Sequence, residues 1–279
     1  MSDFSIGVII DSFRVAIPEA VKKAAEVGAQ GIQVYATRGE MAPENMTPEK
    51  ISEFRKLVAD NGLVISALCG DLGGGFTRPE ENPERIEKSK RILDLAKELG
   101  TDIVTTHIGV VPEDENHDRF KIMQEACFEF SRYADSIEAH FAIETGPETS
   151  AVLKKFLDTL GSRGVGVNLD PANLVMVTGD SPVTAVHNLR DYIVHTHAKD
   201  GKQLFYKDPE IVYGVKKDPI VTGPSFEEVP LGEGSVPWDG YLAALREIGF
   251  RGFLTIEREV GENPEKDIRT AVEFLKARI

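Results

Sequence analysis

The chain has 279 residues, 41% hydrophobic and 28% charged, an ordinary globular mix long enough for one α/β barrel or two smaller domains. Its 46 acidic residues against 32 basic ones give a formal charge of −14, which argues against nucleic-acid binding, because nucleic acid is held largely by Lys and Arg on phosphates. No run approaches the ~18 apolar residues of a membrane span, and MSDFSIGVII is too short in its apolar part for a signal segment. Cys69 and Cys127 suggest no disulfide framework, so a soluble cytoplasmic protein is expected.

Short apolar runs alternate with amphipathic stretches along the whole chain. Strands are predicted at SIGVII (5–10), GIQVY (31–35), LVISALC (63–69), DIVTTH (102–107), HFAIE (140–144), VGVNLD (165–170), YIVHTH (192–197) and GFLTIE (252–257). Helical patterns lie between them, several opening near a proline (Pro18, Pro48, Pro83, Pro182, Pro237, Pro264) and several closing on a glycine (Gly28, Gly62, Gly100, Gly161, Gly249). Eight strand–helix units in this length predict a (β/α)8 TIM barrel, eight parallel strands inside a ring of helices, as one domain over residues 1–279. A doubly wound open sheet is the alternative, weakened by the lack of GxGxxG after the first strand. One connection is out of scale, residues 200–234, and its Phe205, Tyr206, Tyr213 and Phe226 suggest a lid over a pocket.

In a parallel barrel, equivalent strand ends meet at one mouth, so residues distant in sequence converge there. Glu144, Asp170, His197 and Glu257 each close a predicted strand. Any one of them alone is more readily a helix cap or a solvated charge. Together, three carboxylates and an imidazole suit one divalent metal ion, with Mn²⁺ favoured and Mg²⁺, Co²⁺ or Zn²⁺ possible. His195 shares the strand facing of His197, so either satisfies the spacing, and the one nearer the strand end is preferred. His107 ends the fourth strand and is a candidate for a substrate hydrogen bond or proton relay. Lys199 is a candidate to hold an alkoxide or phosphate, or else to pair with a neighbouring carboxylate, and Gln33 to bind a hydroxyl. In GDLGGGF (70–76) the glycines read as a hinge, while Trp238 and Phe76 are candidates to cover a sugar ring or to pack in the core.

The segments AIETGPET, VNLDPANLV, IVHTHAKD, PLGEGSVPW and RGFLTIERE resemble the xylose-isomerase-like barrel superfamily of sugar isomerases and epimerases. The likeness runs over essentially the whole chain, and HTHAKD, GEGSVPW and GFLTIE are its most specific parts. It implies metal ligands at Glu144, Asp170, His197 and Glu257, with Glu144 and Glu257 also acting as acid and base. Ketose 3-epimerases of this superfamily have a His three residues after the Asp ligand, where Asn173 stands here. They also have a substrate-gripping Arg after the His ligand, where this chain reads DGKQL.

The resulting expectation is a metal-dependent isomerase or epimerase that interconverts small ketoses or related polyol ketones through an enediolate, by proton transfer between Glu257 and Glu144. Dehydration of the inosose type on the same scaffold is the alternative, with His107 or Lys199 as the acid. An endonuclease IV-like role requires more strand-end histidines and a basic face, and a non-catalytic sugar-binding barrel is a further possibility. Relatives of this kind are commonly dimers or tetramers, so a homodimer or homotetramer is expected.

Overall fold

The computed structural model describes residues 3–219 and 223–279. Eight strands close into an all-parallel barrel: β1 (Ser5–Ile9), β2 (Gly31–Tyr35), β3 (Val64–Cys69), β4 (Ile103–Thr106), β5 (His140–Glu144), β6 (Val165–Leu169), β7 (Ile193–Ala198) and β10 (Phe253–Ile256). Around the ring each strand pairs with its sequence neighbour, and β10 closes the circle onto β1 through Ser5↔Phe253 to Val8↔Ile256. This agrees with the architecture expected from periodicity. The strands are mostly apolar and buried on both faces, as β6 shows with all five residues buried.

The strand limits differ from the sequence reading at several ends. Ile10 leaves β1 for a short 3₁₀ turn, Ile10–Phe13. His107, Asp170 and Glu257 fall one residue beyond the last paired position of their strands. Loss of the ladder frees these side chains from strict in–out alternation. Asp170 instead caps a short helical turn, Pro171–Asn173, that runs into a π-helical turn, Leu174–Thr178, neither of which the sequence reading anticipated.

Helices cover the barrel. The larger ones are α1 (Ile17–Val27), α2 (Pro48–Asp60), α3 (Asn82–Leu99), α4 (Asp118–Ser136) and α5 (Ser150–Asp158), with α6 for the Pro171–Asn173 turn and α7 for Pro182–Leu189. Gly28 and Gly100 cap α1 and α3 at positive φ, the left-handed turn that sends the chain into the next strand. Phe76 is core, 4.8 Å from the Phe130 ring and 6.0 Å from Phe141.

The long 200–234 connection is not a plain loop. It contains an antiparallel hairpin, β8 (Asp200–Gln203) with β9 (Phe226–Val229), and a short helix α8 (Pro209–Val212). After it come α9 (Trp238–Glu247) and α10 (Pro264–Lys276). Asp200 ties both ends of this excursion together. Its buried carboxylate accepts hydrogen bonds from the Gly201, Gly232 and Val236 amides and from Trp238 Nε1, at 2.9, 2.9, 3.1 and 2.9 Å. A Cβ on Gly234 would lie 1.9 Å from the same carboxylate, which explains a glycine at the centre of GEGSVPW. Trp238 therefore serves the knot and the core rather than a sugar ring.

Replacing Asp200 with Ala leaves four N–H donors without this partner and is expected to cost roughly 3 kcal/mol of stability. Thermal unfolding measures the loss. Trp238, the single tryptophan, should show red-shifted fluorescence as its indole gains water.

Candidate metal centre

Each functional side chain sits at the C-terminal mouth because its strand ends there. Glu144 ends β5, Asp170 follows β6, His197 is the penultimate residue of β7, and Glu257 follows β10. One donor atom from each lies within 4.8 Å of every other, and all four residues are buried. From His197 Nδ1 the carboxylates of Glu257, Glu144 and Asp170 stand at 3.3, 3.5 and 3.6 Å.

Neighbouring groups orient these donors. Gln33 Nε2 donates to Thr105 Oγ1 at 2.8 Å, which leaves its carbonyl facing His197 Nε2 at 3.1 Å. The Gln33 carbonyl takes the Nε2 proton of His197, which leaves Nδ1, on the side of the three carboxylates, as the atom that would face a cation. Glu144 accepts from Asn173 Nδ2 on one oxygen and Asn168 Nδ2 on the other, at 3.0 and 3.1 Å. Behind Asn168 runs a buried chain: Thr255 Oγ1 donates to His195 Nε2, and His195 Nδ1 donates to Asn168 Oδ1, both at 3.0 Å. His195 is thus a neutral support beneath the cluster, its pKa driven well below the usual value by burial and by His197.

The fit to a cation can be tested on Asp170. Its Oδ1 caps the Ala172 and Asn173 amides at 2.8 and 2.9 Å, but its fully buried Oδ2 has no hydrogen-bond partner among the described residues. A buried carboxylate oxygen left unpaired and facing three other donors is what a metal ion would satisfy. Burial opposes charge on His197, yet Glu144 and Glu257 draw its pKa well up. The cluster therefore demands positive charge beside Nδ1, and the donor set, three oxygens and one nitrogen, suits a hard or borderline divalent ion.

The cluster forms one wall of a cavity of about 270 Å³. His107, Lys199, Asn173 and Gln33, the candidate substrate-binding residues, all line it. The amide of Gln33, however, is already engaged at both ends. Lys199 is buried and bonded to Glu257 Oε2 at 3.1 Å and to Glu259, so of its two sequence readings the structure favours pairing with carboxylates. Burial works against ionising Glu257, but Lys199 and then His197 outweigh it and hold its pKa below the usual range. His107 Nδ1 pairs with Asp71 Oδ2 at 3.3 Å, and its Nε2 lies 3.8 Å from Glu144. Burial lowers the His107 pKa, while Glu144 and the Asp71 bond raise it more, to about 9.

Of the four lid aromatics, Tyr213 and Phe226 line the cavity, whereas Phe205 and Tyr206 are 39% and 67% exposed and lie on the outer side. Asp71 was missed, although GDLGGGF had been singled out for its glycines. A carboxylate just past the end of β3 was the available signal. Asn168 and Glu148 carried no such signal. The first reads as a strand residue and the second as part of a turn.

The sequence profile of the xylose isomerase-like TIM barrel family matches residues 21–278. The chain belongs to this family. Among solved structures it is similar to a xylose isomerase domain protein from Planctomyces limnophilus, 26% identical, covering 98% of this chain and 96% of that one with a TM-score of 0.79. D-psicose 3-epimerase from Clostridium cellulolyticum H10, seen with D-tagatose, shares the fold at 14% identity, 99% coverage of both chains and a TM-score of 0.72. Inosose dehydratase of Lacticaseibacillus casei is 26% identical over 131 residues, 46% of this chain and 41% of that one. An uncharacterised protein of Methanocaldococcus jannaschii is 23% identical over 75% of this chain and 66% of its own length. The chain thus spans between two-fifths and two-thirds of these curated relatives. Among the described residues no helix is long and apolar enough to cross a membrane.

Glu148 is buried, with its Oε2 accepting the Val111 amide at 3.1 Å. Burial pushes its carboxyl up to about 8 from an ordinary 4.5, against the opposing pull of the Val111 bond and His107. Below about pH 4.5 the group is protonated in folded and unfolded chains alike. Between there and about 8 only the folded chain keeps the proton, so stability falls as pH rises through that window, by up to about 5 kcal/mol, and then levels. Glu148→Gln is expected to flatten this decline, read as melting temperature at pH 5 and pH 8.

Proposed function

We propose that this chain is a divalent-metal-dependent sugar isomerase or epimerase acting on a ketose or related polyol ketone. The observation that carries the reading is the convergence of Glu144, Asp170, His197 and Glu257 donors within 4.8 Å, at the buried wall of a small cavity. These four residues would hold the cation, with Mn²⁺ favoured and Mg²⁺, Co²⁺ or Zn²⁺ as alternatives. When bound, the cation supplies polarisation of a carbonyl oxygen and greater acidity at the adjacent C–H.

The chain's own residues supply the proton movements. Glu257, kept ionised by Lys199, takes the proton from the carbon next to the carbonyl. Glu144, fixed by Asn168 and Asn173, is the second carboxylate of the exchange. Return of the proton to the same carbon from the other side inverts it, and return to the neighbouring carbon isomerises the sugar. His107 and Asn173 reach into the cavity as hydrogen-bond partners for substrate hydroxyls, while Gln33 acts through His197. Tyr213 and Phe226 cover the cavity and limit the entry of water.

Dehydration is a second reading, and the His107–Asp71 pair specifically favours it. An imidazole held by a carboxylate on the wall beside Glu144 is placed to protonate a departing hydroxyl after the same first proton abstraction. Similarity to inosose dehydratase points the same way.

Mn²⁺-loaded protein incubated in heavy water with a panel of keto sugars and inososes separates the readings. Isomerase or epimerase action gives deuterium at the exchanged carbon, and dehydration gives an unsaturated, ultraviolet-absorbing product. Glu257→Gln is expected to lose about 10³-fold in turnover while still binding metal, the scale of a lost acid–base group. Full turnover in that variant with metal bound would rule the mechanism out. Chelation should abolish activity, and added Mn²⁺ should restore it.

A further inference from the structure

The charges around the cavity carry information about the substrate that the fold does not. Six carboxylates stand at or immediately behind its wall: Asp71, Glu144, Asp170, Glu228, Glu257 and Glu259. Against them are Lys199, His107 and Arg258. Even with all three counted as positive and a doubly charged cation added, five positive charges meet six negative ones. Nor is any of these cations uncommitted. Lys199 is bonded to Glu257 and Glu259, His107 to Asp71, and buried Arg258 to Glu228 at 2.6 Å and Asp267 at 2.9 Å.

Barrels of this architecture commonly bind phosphate through the loops after their seventh and eighth strands. Here those loops present the wrong charge. After β7 the Gly232 and Val236 amides are taken by the chain's own Asp200 carboxylate. Glu259 follows the last barrel strand, and its backbone amide is taken by Glu228, also a carboxylate. The cavity volume of about 270 Å³ also lies at the lower edge of the roughly 300–1,000 Å³ of small-molecule sites.

We propose that this site takes an uncharged ketose or keto-polyol and discriminates against its phosphate esters. The proposal rests on the reading of the substrate as a polyol ketone and adds its charge. An anionic tail would face carboxylates without an uncommitted cation among the described lining residues, and like charges in a partly desolvated site weigh heavily against a ligand. The rival is a phosphate that escapes past Tyr35 and Asp71 into the adjoining open groove of about 820 Å³, where Arg38, Arg85, Lys88 and Arg91 stand. Arg85 is already bonded to Glu81 and to the Gly73 carbonyl.

The test is direct binding, by titration calorimetry, of D-fructose against D-fructose 1-phosphate and D-fructose 6-phosphate, to Mn²⁺-loaded and to metal-free protein. The phosphate esters are expected to bind at least ~10-fold more weakly at low ionic strength, with the gap shrinking as salt screens it. Glu259→Gln, which frees one side of Lys199, should narrow the gap. Equal or tighter binding of either ester overturns the proposal, as does a gap unmoved by salt and by Glu259→Gln, or a failure of D-fructose to bind at all. The metal-free arm keeps the comparison meaningful if Mn²⁺ is not retained. Heavy-water exchange reads the proposed reaction separately, so its failure alongside an intact binding preference sinks the reaction and supports the charge discrimination.

Discussion

Three carboxylates held against one imidazole in a buried wall are the constraint on which the rest of this structure depends. Like charges so close repel, and burial removes the water that would screen them. The arrangement persists only if positive charge joins it or the groups take up protons. Around the cluster, the protein commits Lys199 to Glu257 and two amides to Glu144, but it leaves Asp170 Oδ2 without a hydrogen-bond partner among the described residues. The unpaired oxygen marks where the remaining charge belongs.

Holding four donors to this geometry requires a stiff support, and the barrel interior supplies it. Gln33, Thr105, Asn168, His195 and Thr255 are all buried and polar, where a barrel core is ordinarily filled with branched apolar side chains. Two hydrogen-bonded chains result, one ending on His197 and one on Glu144. Each amide and imidazole is satisfied, so the chains stabilise a single orientation rather than leaving stranded polar groups. Stability from apolar packing is surrendered in that layer in return for fixed ligand directions, as outer-shell partners of metal sites generally do.

The excursion between β7 and α9 links the support to the pocket. Asp200 gathers both of its ends, Arg258 anchors β9 through Glu228, and Glu210 on α8 pairs with Arg119 at the start of α4. Tyr213 and Phe226 are thereby brought over the cavity, and one of the anchoring carboxylates, Glu228, also lines it.

The sequence by itself determined the barrel and the four converging donor residues. Strand period, glycine caps and the repeated strand–helix spacing are local signals, and parallel closure then forces strand-end residues to one mouth. Tertiary structure alone decided which groups serve and which support. His195 and His197 share a facing, and only the hydrogen bonds from Thr255, Asn168 and Gln33, drawn from three other strands, separate a neutral prop from a ligand. Asp71 enters the site through His107, and Lys199 is withdrawn from free use by Glu257 and Glu259. Those outcomes depend on distances between residues far apart in the chain, which no periodicity encodes. Spacing reveals which side chains reach the mouth, and only the closed barrel settles what each one meets there.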